Sequence, residues 1–438
     1  MSKQGTTGGL RDHPLRGALN AEVHSRPFVP LQAPERVSHL ALLSGEGAAE
    51  RERRHVAALC ESRGVAGPAG HSNHFIADLG PFRLKWERHT EFSTYTFFLN
   101  GPFSDAPFAG HAIDLVPQDW IAGLPGELLV AVHLDLLATD TPEPDQTLLK
   151  QIFGHDSIIG SLVSGGAAAV WMDFRVREDG FARILLHDRS LKPRQAGRLV
   201  QRLLEVETYR MTSLLAFPAA KRHSAGLAAI GERLTGITGR LAEIAGTGGE
   251  RELLDDLMEL SSEIEDVGAA TNYRFGAARA YYALVLRRVV ELREQRVEGL
   301  QTINEFVDRR LAPAMRTCEA VAERLETLSR RVARTSQLLL TRVDIQLEAQ
   351  NRDLLESMNR RARLQLRLQQ TVEGLSIAAI TYYVASLVGY LAKGAKEAGL
   401  PISPELATGL SIPLLALLIW LGLRRLRRRV EREDGARD

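Results

Sequence analysis

Two long uncharged runs near the C-terminus constrain this chain more than any other feature. Gly374–Ala392 (GLSIAAITYYVASLVGYLA) and Leu406–Leu423 (LATGLSIPLLALLIWLGL) contain no Asp, Glu, Lys or Arg. At about 1.5 Å per helical residue each reaches roughly 27–28 Å, close to the thickness of a bilayer's hydrocarbon core. Pro413 lies inside the second run, which a membrane helix tolerates. The competing reading is a buried hairpin of a soluble domain. Arg360, Arg361, Arg363 and Arg367 precede the first run, and Arg424, Arg425, Arg427, Arg428 and Arg429 follow the second. The loop between them holds Lys393, Lys396, Glu397 and Glu405. Arginine at both outer ends predicts cytoplasmic termini and a short external loop at a bacterial inner membrane. Met1–Gly9 has no apolar run of the secretory kind. Tyr390 and Trp420 fit interfacial anchors.

Charge and cysteine content narrow the function classes. Lys+Arg is 55 against Asp+Glu 54, so no broad basic surface for nucleic acid is expected. The terminal RRLRRR directly follows a span, which makes lipid headgroups its expected partner. Cys60 and Cys318 are too few for a disulfide framework or a cysteine-rich zinc site.

The middle of the chain reads as helix. No proline occurs between Pro218 and Pro313, or between Pro313 and Pro401. Gly246, Gly248 and Gly249 predict that one helix ends near Ala245 and another starts near Glu250. Pro313 predicts a kink or an end near Arg310. Beyond it, Val321, Leu325, Leu328, Val332, Leu339, Val343, Leu347, Leu354, Met358 and Leu368 form a helical stripe. Its period wanders between about 3.5 and 3.67, so no strict supercoil is specified. Such a helix must pack on 250–310 or on copies of itself. No lysine occurs between Lys221 and Lys393; a GC-rich genome or bidentate pairing between helices would each produce that.

The N-terminal part predicts an α+β domain. In Phe82–Glu91 (FRLKWERHTE), Phe82, Leu84 and Trp86 face one way, and Arg83, Lys85, Glu87, His89 and Glu91 the other. Further strands are expected at Val37–Leu43, Phe92–Phe98, Glu127–Leu137, Ala168–Val176 and Phe181–His187, the last two joined through REDG. Ser190–Phe217 is expected to be a helix with Pro193 in its first turn. Gly64–Gly70 and Thr139–Asp145 read as loops. The expected organisation is 1–36, a docking N-terminal segment; 37–217, the cytosolic α+β domain; 218–373, a long-helix or coiled-coil stalk; 374–392, the first span; 393–405, the external loop; 406–423, the second span; and 424–438, a basic tail.

Every histidine lies at or before His223. Glu87, His89 and Glu91 can converge on one ligand from a single strand face, but such alternation is also how an exposed sheet face looks. His71 and His74 have metal-ligand spacing only if helical, and GHSNHF does not read as helix. His24 and Arg26 belong to a dense polar segment, HPLRGALNAEVHSRP, which is either a site or a strip docked along the domain. There is no Walker loop, GxSxG, HExxH or GxGxxG, and no residue set specific to an enzyme.

The segments HPLRGALNAEVHSRP, KWERHTEFSTYTFF, RLLEVETYRM, RRLAPAMRTCEA and LQLRLQQTVEGLSIAAITYYV resemble domain of unknown function 3422, over about residues 13–429. The resemblance implies a membrane-anchored protein of proteobacteria and brings no activity. The order of elements is also similar to the CorA-type divalent cation channels. That likeness implies a homo-oligomer, a pentamer if CorA-like, with the first span lining a path for a divalent cation. Those channels carry Gly-Met-Asn at the outer end of that span, where this chain has Gly389-Tyr390-Leu391.

Ser376, Ala379, Tyr383, Ser386 and Tyr390 fall on one face of the first span, and Glu373 stands at its inner mouth. Such a stripe suits water or a partner helix better than lipid, and ordinary helix packing explains it as well. Two functions remain open: an oligomeric channel or transporter, and an anchored coiled-coil scaffold or sensor whose cytosolic domain binds a ligand or partner. An anchored enzyme using Glu87, His89 and Glu91 is a weaker third.

Overall fold

The computed structural model describes residues 13–17, 19–20, 28–70, 72–103, 106–243, 247–397 and 403–434. The chain divides into two compact units: Met1–Ile244 with Arg251–Ser336, and Ala245–Glu250 with Gln337–Asp438.

The first unit is built on one mixed sheet. Its strands are β1 (Glu35–Leu43), β2 (His74–Asp78), β3 (Arg83–Arg88), β4 (Phe92–Asn100), β5 (Glu127–Leu137), β6 (Ile159–Val163), β7 (Ala168–Met172), β8 (Ala182–Asp188) and β9 (Gln295–Arg296). Their spatial order is β2-β3-β4-β1-β5-β8-β7-β6-β9. Only β5 and β8 pair in parallel; the other neighbours are antiparallel. Val37–Leu43 is therefore a central strand, flanked on both sides, which explains its mostly apolar sequence.

The two faces of the sheet are dressed differently. One buries Leu40, Leu42, Leu84, Trp86, Tyr95 and Phe97 against Val56, Leu59 and Cys60 of helix α1 (Ala49–Ser62) and against Trp120. Fully burying such large side chains contributes about 1.5–3 kcal/mol each. Helix α2 (Gln146–Phe153) follows 139–145, with Asp145 as its cap through Leu148 N. Helix α3 (Pro193–Leu214) covers the other face; its Pro193 occupies the first turn, as expected. Gly197 lets the N-terminal segment lie directly on α3. A Cβ there would stand 1.9 Å from the Val29 carbonyl oxygen. Leu31 N donates to Pro193 O at 3.0 Å.

Two expected strands are shorter than the sequence suggests. The strand read over Phe82–Glu91 ends at Arg88, and His89–Glu91 form the turn into β4, closed by His89 N donating to Phe92 O at 2.8 Å. β7 stops at Met172, because the buried Asp173 carboxylate collects His155 Nε2 at 3.0 Å, an Arg177 guanidinium nitrogen at 2.8 Å and Arg175 N at 3.1 Å. The REDG connection to β8 is correspondingly longer than a tight turn.

Helix α4 (Phe217–Glu243) ends close to the expected Ala245, but α5 (Thr247–Leu292) starts before the expected Glu250 and takes Gly248 and Gly249 into its first turn. Helix α6 (Ala312–Glu397) contributes its part up to Ser336 to this unit, with Val321, Leu325, Leu328 and Val332 buried. Arg233 reaches Glu259 at 3.1 Å and Glu263 at 2.5 Å, so at least some of the arginine bridges helices. Pro313 neither ends nor breaks the helix. A wide turn at Val307–Leu311 precedes it, where Ala312 N pairs with Val307 O, and this absorbs the missing proline donor.

In the second unit, α6 continues from Gln337 and is followed by α7 (Pro404–Asp434). Two stretches of these helices are long and apolar enough to cross a membrane, and little of either is covered by the chain itself. That is not the pattern of a buried soluble hairpin. The helices touch through small residues: Thr381, Ala385 and Ala392 are buried, and a Cβ on Gly389 would meet Thr408 Oγ1 at 3.0 Å.

Candidate functional site

The sheet face under α3 is where polar chemistry collects. Between them lies a cavity of about 220 Å³. β1 supplies His39, β3 supplies Lys85 and Glu87, and β4 supplies Thr94, Thr96 and Phe98. α3 supplies Val200, Gln201, Leu204, Glu205 and Thr208; Val29 and Arg288 of α5 complete the wall.

His39 forms the floor. Its Nδ1 lies 2.8 Å from Thr96 Oγ1 and its Nε2 lies 3.1 Å from Thr208 Oγ1. Burial, with the nearby Lys85 charge, holds its pKa down to about 3, so the ring is neutral at ordinary pH. A neutral imidazole with both nitrogens engaged positions hydroxyls; it is not poised to move a proton.

The charges form a chain from sheet to helix. Lys85 Nζ donates to Gln201 Oε1 at 3.3 Å and pairs with Glu87 Oε2 at 3.0 Å. Gln201 Nε2 donates to Glu205 Oε1 at 2.7 Å. Glu205 pairs with Arg288, which also meets Glu291 at 3.0 Å, and Arg202 meets Glu291 at 3.1 Å. One helix face serves the whole rim. Arg274 pairs with Glu91 at 2.6 Å, Tyr281 stacks on Tyr209 at 5.8 Å and approaches Phe92 at 5.9 Å, and Arg288 closes the far end. The lining thus presents both charge signs, hydroxyls and an apolar patch. Among the described residues it holds no serine or cysteine.

The sequence candidates fall as follows. Glu87 and His89 both line the cavity, and Glu91 lies at its edge under α5. They are not an exposed sheet face: the Glu87 and Glu91 side chains are 12% and 9% exposed. His89 is in the turn, stacked on Phe92 at 4.4 Å. His24, Arg26 and His71 lie outside the described residues. Residues 28–31, just after the first two, do dock along the domain, with Leu31 buried and Arg198 over the Phe28 ring at 5.0 Å. His39, Thr208 and Arg288 were not anticipated. The available signals were a histidine inside an apolar strand and the seven-residue spacing of Arg274, Tyr281 and Arg288.

A second buried histidine, His133, stands on the opposite sheet face. It stacks between His111 at 3.6 Å and Phe181 at 3.9 Å and bonds Ser38 Oγ through Nδ1 at 3.0 Å. Burial, and then the His111 ring, lower its pKa to about 3. Among the described residues no group of three or more His, Cys, Asp or Glu side chains is placed to hold a metal ion.

In the spans, Tyr383 and Tyr390 point away from α7 and are exposed, as is Ser376; Ser386 and Glu373 are half-buried. Ser376 Oγ donates to Val372 O, and Ser386 Oγ to Tyr382 O, each at 2.8 Å along the helix itself. Arg360, Arg361, Arg363, Arg367, Arg424 and Arg425 are exposed, with Arg424 over the Trp420 ring at 5.0 Å. Arg427, Arg428 and Arg429 continue α7.

These features define an α+β domain joined to long helices and to two apolar helices of membrane-spanning length. A family model described as a protein of unknown function, DUF3422, matches residues 11–430, and the chain belongs to that family. No curated protein matches the sequence.

Proposed function

We propose that this protein is a membrane-anchored sensor whose cytosolic domain binds a small zwitterionic solute in the cavity under α3. The observation that carries the reading is the composition of the cavity wall. Three distant segments bring a paired lysine, a paired arginine, two carboxylates and three threonines around a space equal to roughly seven waters at about 30 Å³ each. A ligand with an amine and an acid group can exchange partners with the Lys85–Glu87 and Arg288–Glu205 pairs without leaving a charge unpaired. Arg288 belongs to α5, so occupancy acts on the long-helix part of the same unit. The anchor is the two-span hairpin in the inner membrane, with both termini cytoplasmic and the flanking arginines on lipid headgroups.

Native mass spectrometry of the full-length protein in detergent, with a panel of amino acids and related small zwitterions, tests this. The expected result is a saturable adduct that Val200→Phe abolishes by filling the cavity and that Ser386→Ala leaves intact. No adduct across the panel, or one indifferent to Val200→Phe, overturns it.

One observation favours a second reading, an oligomeric CorA-like channel. Ser376, Tyr383 and Tyr390 turn outward from the hairpin, where copies could arrange them around an axis. Cation flux through reconstituted protein, lost on Glu373→Gln, would raise that reading above the sensor.

A further inference from the structure

The apolar side chains of the stalk from Leu347 onward are not covered by this chain. Leu347, Leu354, Met358, Leu368, Val372 and Leu375 are each more than half exposed. So much regularly spaced apolar surface on a long helix is not tolerated in water.

The spacing says what covers it. Leu347, Leu354, Arg361, Leu368 and Leu375 recur every seven residues, and so do Asn351, Met358, Gln365, Val372 and Ala379. Together they alternate at threes and fours through four heptads, the pattern of a supercoiled seam. The stripe upstream, Val321 to Val332, is buried within the first unit. The wandering period of the whole helix comes from joining two different surfaces.

Charge is segregated with equal clarity. From Glu348 to Glu373 every charged residue lies off the seam and off the two positions beside it, except Arg361 on the seam and Glu348 beside it. From Leu355 on, the flanks carry Leu355, Ser357, Ala362, Leu364, Gln369 and Thr371. Two-stranded coils place charges at those flanks, whereas a bundle of more helices buries them. The seam then runs on into the first span through Ala379, Tyr382 and Ser386. The second span packs on Thr381, Ala385 and Ala392, about a third of a turn round that helix from the seam. Ala379 and Tyr382 on the seam stay exposed, and Ser386 is half-buried.

We infer that residues 347–386 of α6 are the interface between copies of this chain, assembled as a parallel, in-register bundle of more than two helices. A second copy is the occupant because each copy enters the membrane from the same side, which aligns identical seams side by side. Asn351, Gln365 and Arg361 are its polar rungs; such rungs fix register at a cost in stability. The inference rests on the spans being in a membrane and not on the cavity having a ligand.

Oxidative cross-linking of the full-length protein in native membranes tests it, since Cys60 and Cys318 are both buried. Leu354→Cys and Leu368→Cys should give covalent dimers in yields roughly five-fold above Glu356→Cys and Arg363→Cys, which lie behind the seam. Arg361→Leu should raise the dissociation temperature of the detergent-solubilised oligomer, by replacing a ring of like charges with an apolar rung. Detergent-corrected light scattering should give more than two chains. Equal or reversed yields, no cross-linking at either seam position, or a two-chain mass overturns the inference. Loss of the protein from the membrane fraction would instead indict the anchor.

Discussion

The two units of this chain solve the burial problem in opposite ways. In the first, apolar side chains are inside and the charged groups on the covered sheet face have partners within the same chain: Lys85 with Glu87, Glu205 with Arg288, Glu91 with Arg274. In the second, the apolar side chains are outside, and the hydroxyls of Ser376, Thr381 and Ser386 turn back onto their own helix. The second unit leaves its apolar face uncovered by the chain, so its stability depends on what surrounds it rather than on internal contacts.

The contrast can be broken most strongly with acid. His39 and His133 have pKa values lowered to about 3, below the ordinary 6.5. Between those limits the unfolded chain binds the extra protons, so stability falls as pH drops from about 6.5 towards 3. At about 1.4 kcal/mol per pH unit for each ring, the two together cost the first unit on the order of 4 kcal/mol between pH 6.5 and 5. Urea unfolding in detergent, followed by tryptophan fluorescence, reads this well: Trp86, Trp120 and Trp171 report the first unit and Trp420 the second. Only the first three should respond.

Next in size is Gly197→Val, whose side chain collides with the Val29 carbonyl. We expect about 3 kcal/mol of destabilisation and early proteolysis in the lifted N-terminal segment, with membrane association unchanged. Arg288→Ala comes third. It strips a half-buried partner from Glu205 and Glu291 and, with solvent screening, should cost about 1–2 kcal/mol by the same urea titration. In the other unit, Gly389→Val should loosen the hairpin by about 1 kcal/mol through contact with Thr408, seen as faster protease access to the interspan loop. The smallest effect belongs to Ser386→Ala, within about 0.5 kcal/mol, because its hydroxyl bonds only along its own helix. A large change in oligomer stability there would show that the hydroxyl works between copies.

How much of this the sequence discloses depends on the distance over which the information acts. Glu127–Leu137 is legible to the residue, because a short, mostly apolar run is local information. β2 and β6 are short strands without a clean alternating run. α1 is hidden by charge: of its fourteen residues only Val56, Leu59, Cys60 and a buried Glu52 face inward. The cavity is half legible. Glu87 and His89 stand out two residues apart in the sequence, but Thr208 and Arg288 arrive from other elements far along the chain, and their convergence exists only once the sheet and α3 have packed.

The wide turn at Val307–Leu311 has an evolutionary consequence. A helix that accommodates one residue too many without losing its buried side, with Val307 at 0% and Leu311 at 2% exposure, is how a single-codon insertion looks after it has been retained. Homologous genes one codon shorter across this stretch would encode a plain helix with the same inward-facing side chains.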